Sequence, residues 1–404
     1  MKLGIVYHMP FWRAADGTLR EVEGSFARYV DSLAPYFDEI SLCVPVLDAP
    51  RGEGTPIRST NVTLAPLPNF EGPAHFYPKI FGVWGTLSRW MRTIDVLHCR
   101  VPTPAAIFAF TLARWARRPS WLLIVGDLAA LLPTMPYRGW KRLLWRAYTS
   151  FEECNVQWMV DRSLAFANGA ALATKHSRPG RAVHATTTTT ISGTDIASRI
   201  DTCQAAAIRV LTVSRIDPRK GLRVLPEVVA ALRGRGVNAS LDIVGPAVGT
   251  PGEQERAAIL TDAASRGVGE YVRALGPVPL EQLLPLYRDY DIFVLPTLPG
   301  EGIPRVLLEA MTSGVPVVTT RVAGIPSLIR HEVNGLLVDA PSADAVTGAI
   351  LRVVDDSALR MRLIANGYET ARGFTLEAQA ARMLAEVSAR LPITLKQPAT
   401  VMAS

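Results

Sequence analysis

Short, continuously apolar runs recur along the chain, each followed by a stretch with helical spacing. In the first half the runs are LGIVY (3–7), EISLCVPV (39–46), NVTLAP (61–66), DVLHC (95–99), WLLIV (121–125) and SLAFA (163–167). In the second half they are IRVLTV (208–213), SLDIVG (240–245), DIFVLP (291–296), VPVVT (315–319) and GLLVD (335–339). Runs without an exposed face predict parallel strands covered by helices on both sides. LPEVVAALRGRG is one such helix: Leu225, Val228, Val229 and Leu232 share a face, and glycines end it. The series restarts near residue 207, after the threonine-rich, linker-like stretch HATTTTTISGTDIASRIDTCQ (184–204). This predicts an α/β chain of two doubly wound parallel-sheet domains, 1–195 and 196–373, facing across a cleft. Ligands belong beyond the carboxyl ends of the strands. FTLEAQAARMLAEVSARL (374–391) adds a last helix.

A length of 404 residues, with 49% hydrophobic and 20% charged, suits two buried cores. Cys43, Cys99, Cys154 and Cys203 form no CxxC and no disulfide framework, which points to a reducing cytosol. MKLGIVYHMP reads as a first buried strand, not a signal peptide. WLLIVGDLAALLP is broken by Asp127 and falls short of the roughly 20 residues a bilayer requires, so no membrane span is expected.

The net charge of +7 is lopsided. Residues 1–190 carry 21 Lys and Arg against 14 Asp and Glu, a difference of +7; residues 191–404 carry 22 of each. The excess clusters with tryptophan in SRWMR (88–92), ARWARRPSW (113–121) and YRGWKRLLWRAY (137–148). Basic residues among aromatics suit an anionic membrane surface. They equally suit a solvated face with the tryptophans turned inward, and the sequence leaves both open. No nucleic-acid motif accompanies the charge, so nucleic acid is not an expected partner.

Candidate chemistry concentrates in the second half. After IRVLTV comes VSRIDPRKG (213–221), which places Arg215 and Lys220 on a tight loop at a strand's carboxyl end. Cations there suit a diphosphate. After DIFVLP comes TLPGEGI, then PRVLLEAMTS. Pro304 suits the first position of that helix, and Gly314 closes it. Glu301 then sits in the loop at the sheet edge, beside a helix N-terminus that attracts anions. Glu309 lies in the second turn among Val306, Leu307, Leu308 and Met311. A carboxylate there must meet an arginine or accept hydrogen bonds from a polar ligand.

Together these elements resemble the family 4 glycosyltransferases, which have the GT-B architecture of two Rossmann-like domains. VSRIDPRKG is similar to that family's Arg…Lys-Gly loop. PGEGIPRVLLEAMTSGVPVVTTRVAGIPSLI and NGLLVDAPSADAVTGAILRVVDDSALR resemble its Glu-x7-Glu segment and the stretch after it. The resemblance implies transfer of a sugar from a nucleotide diphosphate donor to an acceptor hydroxyl, with retention at the anomeric carbon. It implies that Arg215 and Lys220 hold the diphosphate, Glu301 the sugar hydroxyls and Glu309 the ribose. Backbone N–H groups around Gly302 and Ile303 approach the donor. No metal or other cofactor is expected. The implied setting is polysaccharide, glycolipid or other glycan assembly in the cytoplasm, at the inner membrane face, on a glycan or lipid-linked acceptor. A nucleotide-sugar epimerase and a non-catalytic nucleotide-sugar-binding scaffold are the competing readings.

The first half resembles the family more loosely. EGSFARYVDSLA (23–34) keeps the first glycine of a Gly-Gly pair as Gly24, and Ser25 replaces the second. Gly24 would let the backbone approach the donor phosphate. FWRAADGTLREVE (11–23) reads as a long polar loop shaping the acceptor site. IDVLHCR places His98 at a strand terminus, either structural or functional. In LLIVGDLAAL, Gly126 and Asp127 stand where many relatives carry a histidine. Asp127 either handles an acceptor hydroxyl as a catalytic group or caps the following helix. The family's usual Asn-Gly is missing from TTTTTISGTDI, where the first domain ends. DYD (289–291) has the look of a metal-binding pair, but its place between helix and strand favours capping.

Overall fold

The computed structural model describes residues 1–22, 25–50, 52, 54–70, 73–132, 139–203, 206–298, 303–322, 324–339 and 341–397. The chain divides into two compact units, Met1–Thr188 with Leu376–Ser404, and Thr189–Thr375. The divide falls inside the threonine run, ahead of the position after residue 195 where composition places it.

The first unit contains β1 (Lys2–Val6), β2 (Phe11–Arg13), β3 (Leu19–Glu21), β4 (Glu39–Pro45), β5 (Thr55–Pro56), β6 (Val62–Leu67), β7 (Val96–Val101), β8 (Ser120–Ile124), β9 (Leu164–Asn168) and β10 (His184–Thr186). Seven of these strands form one parallel sheet in the order β10-β9-β8-β7-β1-β4-β6. The sequence winds outward from β1 through β4 to β6, then returns and winds the other way from β7. The reversal lies between β1 and β7, paired from Leu3↔Val96 to Val6↔Cys99. Every side chain of β7 is buried, as expected for a strand covered on both faces.

Over its described residues, 11–22, the stretch read as a long polar loop is largely a hairpin. β2 and β3 form an antiparallel hairpin, with β5 added at its edge. Asp16 accepts the Thr18 N–H at the turn, and Gly17 takes φ +83°. Phe11 and Trp12 of β2 are both buried. The last helix, expected over 374–391, runs Leu376–Arg390. Its Leu376, Ala380, Met383, Leu384 and Val387 join the core beside the helix Ser25–Leu33, and Met383 Sδ accepts from Tyr29 Oη at 3.6 Å.

The second unit contains β11 (Ile208–Val213), β12 (Ala239–Val244), β13 (Val272–Gly276), β14 (Ile292–Leu295), β15 (Val317–Thr320) and β16 (Leu336–Val338). All pair in parallel, in the order β13-β12-β11-β14-β15-β16. The same winding repeats, and the reversal lies between β11 and β14. In the helix Leu225–Gly234 the four aliphatics of the expected face are all buried. No described helix is long and apolar enough to cross a membrane.

Candidate functional site

In doubly wound sheets the crevice for ligands opens where the winding reverses. In the second unit that point lies between the ends of β11 and β14, so the loops after Val213 and Leu295 frame it.

The first loop is held rigidly. Asp217 precedes the short 3₁₀ turn Pro218–Lys220, and its carboxylate accepts the Arg219 N–H at 2.9 Å. The same carboxylate grips the Arg219 guanidinium through Nε at 3.0 Å and Nη2 at 2.7 Å. These hydrogen bonds hold the Asp217 pKa down to about 2. One of the loop's three cations is thus already matched by a carboxylate. Arg215 is exposed, while Lys220 is only 7% exposed.

Gly221 sits at φ +64°, and a Cβ there would lie 2.1 Å from the Pro296 carbonyl oxygen. Only glycine fits that left-handed turn against the neighbouring loop. The Leu298 N–H donates to the Arg219 carbonyl at 2.9 Å, and Thr297 Oγ1 reaches the same oxygen at 3.3 Å. The two loops are therefore tied by backbone. Gly245 (φ +137°), at the end of β12, lets the Ser214 carbonyl come as close, within 2.0 Å of where a Cβ would stand. Ser214 Oγ is buried without a hydrogen-bond partner, an acceptor and donor left over at the mouth of the crevice.

The second loop leads to the helix Arg305–Thr312. Pro304 is the residue before this helix, with ψ +122°, not its first residue as the sequence suggests. Gly314 takes φ +68° past its end. Ile303 is half-buried against the second unit's core. Glu301 and Gly302 lie outside the described residues, as does Gly24 of the first unit.

Glu309 is 4% exposed. Two hydroxyls of the chain itself meet it. Thr190 Oγ1 donates to one carboxylate oxygen at 2.7 Å, and Tyr287 Oη donates to the other at 3.0 Å. Burial, then the Glu309 charge, push the Tyr287 phenol pKa well up, so it stays a donor. No cation among the described residues pairs with this carboxylate. A carboxylate has about four acceptor positions, so two remain for hydroxyls of a ligand. Neither Thr190 nor Tyr287 stood out in the sequence. Thr190 lies in the run read as a linker, and Tyr287 ends an amphipathic helix, Leu280–Tyr287, that gives no sign of its partner.

In the DYD stretch Asp291 has partners within the second unit. It is buried, accepts the Arg209 N–H at 2.7 Å and the Thr202 hydroxyl, and ties the start of β11 to β14. Among the described residues no three His, Cys, Asp or Glu side chains are grouped to hold a metal ion.

In the first unit Asp127 caps the helix Leu128–Leu131, accepting the Ala130 N–H at 3.1 Å. It also pairs with Lys175 at 2.8 Å, and Lys175 reaches Glu153 at 2.8 Å. Partial burial pushes the Asp127 pKa up, but Lys175 and the capping N–H groups outweigh it, so the net direction is down. Gly126 has open space where a Cβ would stand, so packing does not require glycine there. His98 is inside β7, which continues to Val101 and does not end at the histidine. It is buried, bonds to Tyr29 Oη at 2.9 Å and stacks on Trp121 at 4.9 Å. Burial lowers its pKa to about 3, which makes it a neutral structural residue.

Residues 204–370 match the family model described as "Glycosyl transferases group 1". A D-inositol 3-phosphate glycosyltransferase of Corynebacterium glutamicum is 35% identical over 179 residues, 43% of this chain and 41% of that protein. The amylovoran biosynthesis glycosyltransferase AmsK of Erwinia amylovora is 35% identical over 151 residues, 36% of each chain. The chain thus spans about two fifths of the length of the curated relatives it matches. Anabaena HepE, solved in complex with UDP and glucose, superimposes with a TM-score of 0.66 at 16% identity, over 97% of this chain and 100% of its own. That likeness is one of fold and extends across both units, whose paired sheets are those of the GT-B architecture. The second unit is thus similar to the group 1 glycosyl transferases over residues 204–370.

Proposed function

We propose that this protein is a glycosyltransferase that moves a sugar from a nucleoside diphosphate donor to an acceptor hydroxyl, with retention, during polysaccharide, glycolipid or other glycan assembly. The observation that carries the reading is the paired loop at the winding reversal of the second sheet. There Arg215 and Lys220 lie on the loop after β11, which is tied by backbone to the loop after β14. The bond from the sugar's anomeric carbon to the diphosphate oxygen breaks, and the diphosphate leaves with the electron pair. Arg215 and Lys220 stabilise that charge, and no metal is assigned a part. The acceptor oxygen bonds to the anomeric carbon, and its proton passes to the departing diphosphate oxygen. Glu309 accepts from the ribose hydroxyls with the two positions that Thr190 and Tyr287 leave open. Glu301 takes the sugar hydroxyls, with Gly302, Ile303 and Gly24 beside the donor. The first unit takes the acceptor, with Asp127 at its sheet edge.

The same reading places the first unit against the inner face of an anionic membrane. Phe81 is 89% exposed, Trp115 72% and Trp140 66%, and Leu143 and Leu144 are exposed beside them in sequence. Arg114, Arg117, Lys141, Arg142 and Arg146 are exposed among them. Trp90 and Trp121, by contrast, are buried. The tryptophans therefore divide between core and surface, and those on the surface keep company with cations, as interfacial segments do.

Turnover tests the reading. Purified protein is incubated with nucleotide sugars and lipid-linked or soluble glycan acceptors, and Arg215→Ala should cut turnover by about 10²-fold or more, as expected for a lost transition-state charge contact. Turnover within twofold of the parent removes the diphosphate role.

A further inference from the structure

The first sheet has a winding reversal of its own, between β1 and β7, and Arg100 stands one residue before the end of β7. Arg100 is 7% exposed. Its guanidinium carbon lies 4.7 Å from the ring centre of Tyr7, 4.9 Å from Phe26 and 4.5 Å from Tyr29. Three aromatic faces offset part of the cost of burying the cation. They accept none of its N–H groups: Nε and Nη1 are buried without a hydrogen-bond partner. No carboxylate among the described residues pairs with it.

Another buried arginine of this chain shows the difference. Arg360, also nearly fully buried, meets Asp201 at 2.8 Å and the carbonyls of Val353 and Val354 at 2.7 and 3.0 Å. Nearby in sequence or charge, more polar atoms wait unpartnered: Thr103 Oγ1, three residues beyond Arg100, and His8 Nδ1, just past the end of β1. Burial, then the Arg100 charge, lower the His8 pKa to about 4 and the His98 pKa to about 3. Both histidines are neutral near pH 7, so Arg100 is the fixed positive charge of this group.

A buried planar fork with unmatched N–H groups, at the point of a doubly wound sheet where ligands bind, suits an oxyanion. We propose that Arg100 anchors an oxyanion site in the first unit, which takes a phosphate or carboxylate group of the acceptor. The proposal rests on the reading that the first unit takes the acceptor, and it deepens that reading: the acceptor is an anionic molecule. The aromatic cage holds the guanidinium plane in place and keeps water from competing for it.

The test uses the full chain carrying Arg215→Ala and Lys220→Ala, which removes the cations assigned to the donor. Inorganic phosphate, and separately acetate, are titrated at constant ionic strength while the melting temperature is followed. A saturable rise with at least one of the two anions is expected, and adding Arg100→Met should abolish it. The absence of any saturable rise, or the same rise in the Arg100→Met chain, overturns the proposal. If Arg100→Met does not fold, Arg100→Lys keeps the charge without the fork. A midpoint concentration raised several-fold then supports the site, and an unchanged midpoint overturns it.

A second arm titrates UDP and GDP into Arg100→Met with Arg215 and Lys220 intact. Nucleotide affinity should match that of the parent. A several-fold loss would assign Arg100 to the donor diphosphate and overturn the acceptor site. Should nucleotides fail to bind the parent chain, the donor reading fails while the phosphate and acetate arm still decides Arg100.

Discussion

Replacing Glu309 separates its part in the fold from its part in binding. Its carboxylate accepts from Thr190 at 2.7 Å and Tyr287 at 3.0 Å, all three groups being buried. Glu309→Ala strands both hydroxyls. Each buried, unpaired hydroxyl costs about 1–3 kcal/mol, partly offset because a buried carboxylate without a cation is also removed. A net loss of about 2–4 kcal/mol follows, or about 5–15 °C in melting temperature for a domain of this size. Glu309→Gln keeps the shape and one amide oxygen to accept, so its loss should stay near 1 kcal/mol. Binding should not follow that order. The ribose hydroxyls lose a charged acceptor in both variants, worth about 1.5–3 kcal/mol, or about 10- to 150-fold in affinity. Thermal unfolding and calorimetric titration of a nucleotide sugar read the two effects apart. A Gln variant that binds within twofold of the parent would refute the ribose role and leave Glu309 a structural residue.

Other consequences are as direct. Gly221→Ala puts a side chain into a left-handed turn and against the Pro296 carbonyl, so the loop must shift. Nucleotide affinity should fall at least tenfold while the rest of the fold persists by circular dichroism, and unchanged affinity would show the loop tie to be dispensable. His98 is fully buried with its pKa lowered to about 3 by burial, so it gains a proton only on unfolding as pH falls below about 6.5. The unfolded state then binds more protons, and this residue removes about 1.4 kcal/mol of stability per pH unit between about 6.5 and about 3. In His98→Asn, urea unfolding at pH 7, 6 and 5 should lose that part of the slope; an unaltered slope would contradict the assignment. Trp140→Ser with Trp115→Ser should weaken flotation with anionic vesicles several-fold at little cost in melting temperature, since both rings are exposed. Equal flotation of variant and parent would place the membrane contact elsewhere.

The central strands were legible because burial on both faces makes them continuously apolar, and all eleven runs are strands, with β6 and β16 at sheet edges. The strands the sequence concealed lie at edges or in the small sheet. β13 alternates, with Arg273 and Leu275 exposed, and β10 lies at the threonine run, so neither shows an apolar run. β2, β3 and β5 span two or three residues each, too few for a period to appear. At the site, the placing of Arg215 and Lys220 on a loop after a strand, and of Glu309 within a helix, was legible from strand–loop–helix context. What holds them was not. Thr190 reaches Glu309 across 119 positions of sequence, and Asp217 grips Arg219 through side-chain geometry. Arg100 drew no notice at all, because HCR reads as three ordinary residues of a strand until the rings of Tyr7, Phe26 and Tyr29 close around the third.

The account's central claim is that the crevice between β11 and β14 holds a nucleoside diphosphate. Calorimetric titration of the parent chain with a panel of nucleotide sugars and free nucleoside diphosphates, beside the Arg215→Ala/Lys220→Ala chain, tests it most directly. At least one donor should bind the parent with micromolar to millimolar affinity, and the double variant should lose at least 100-fold, about 2.7 kcal/mol. Equal binding by both chains, or no binding of any nucleotide to the parent, would contradict it.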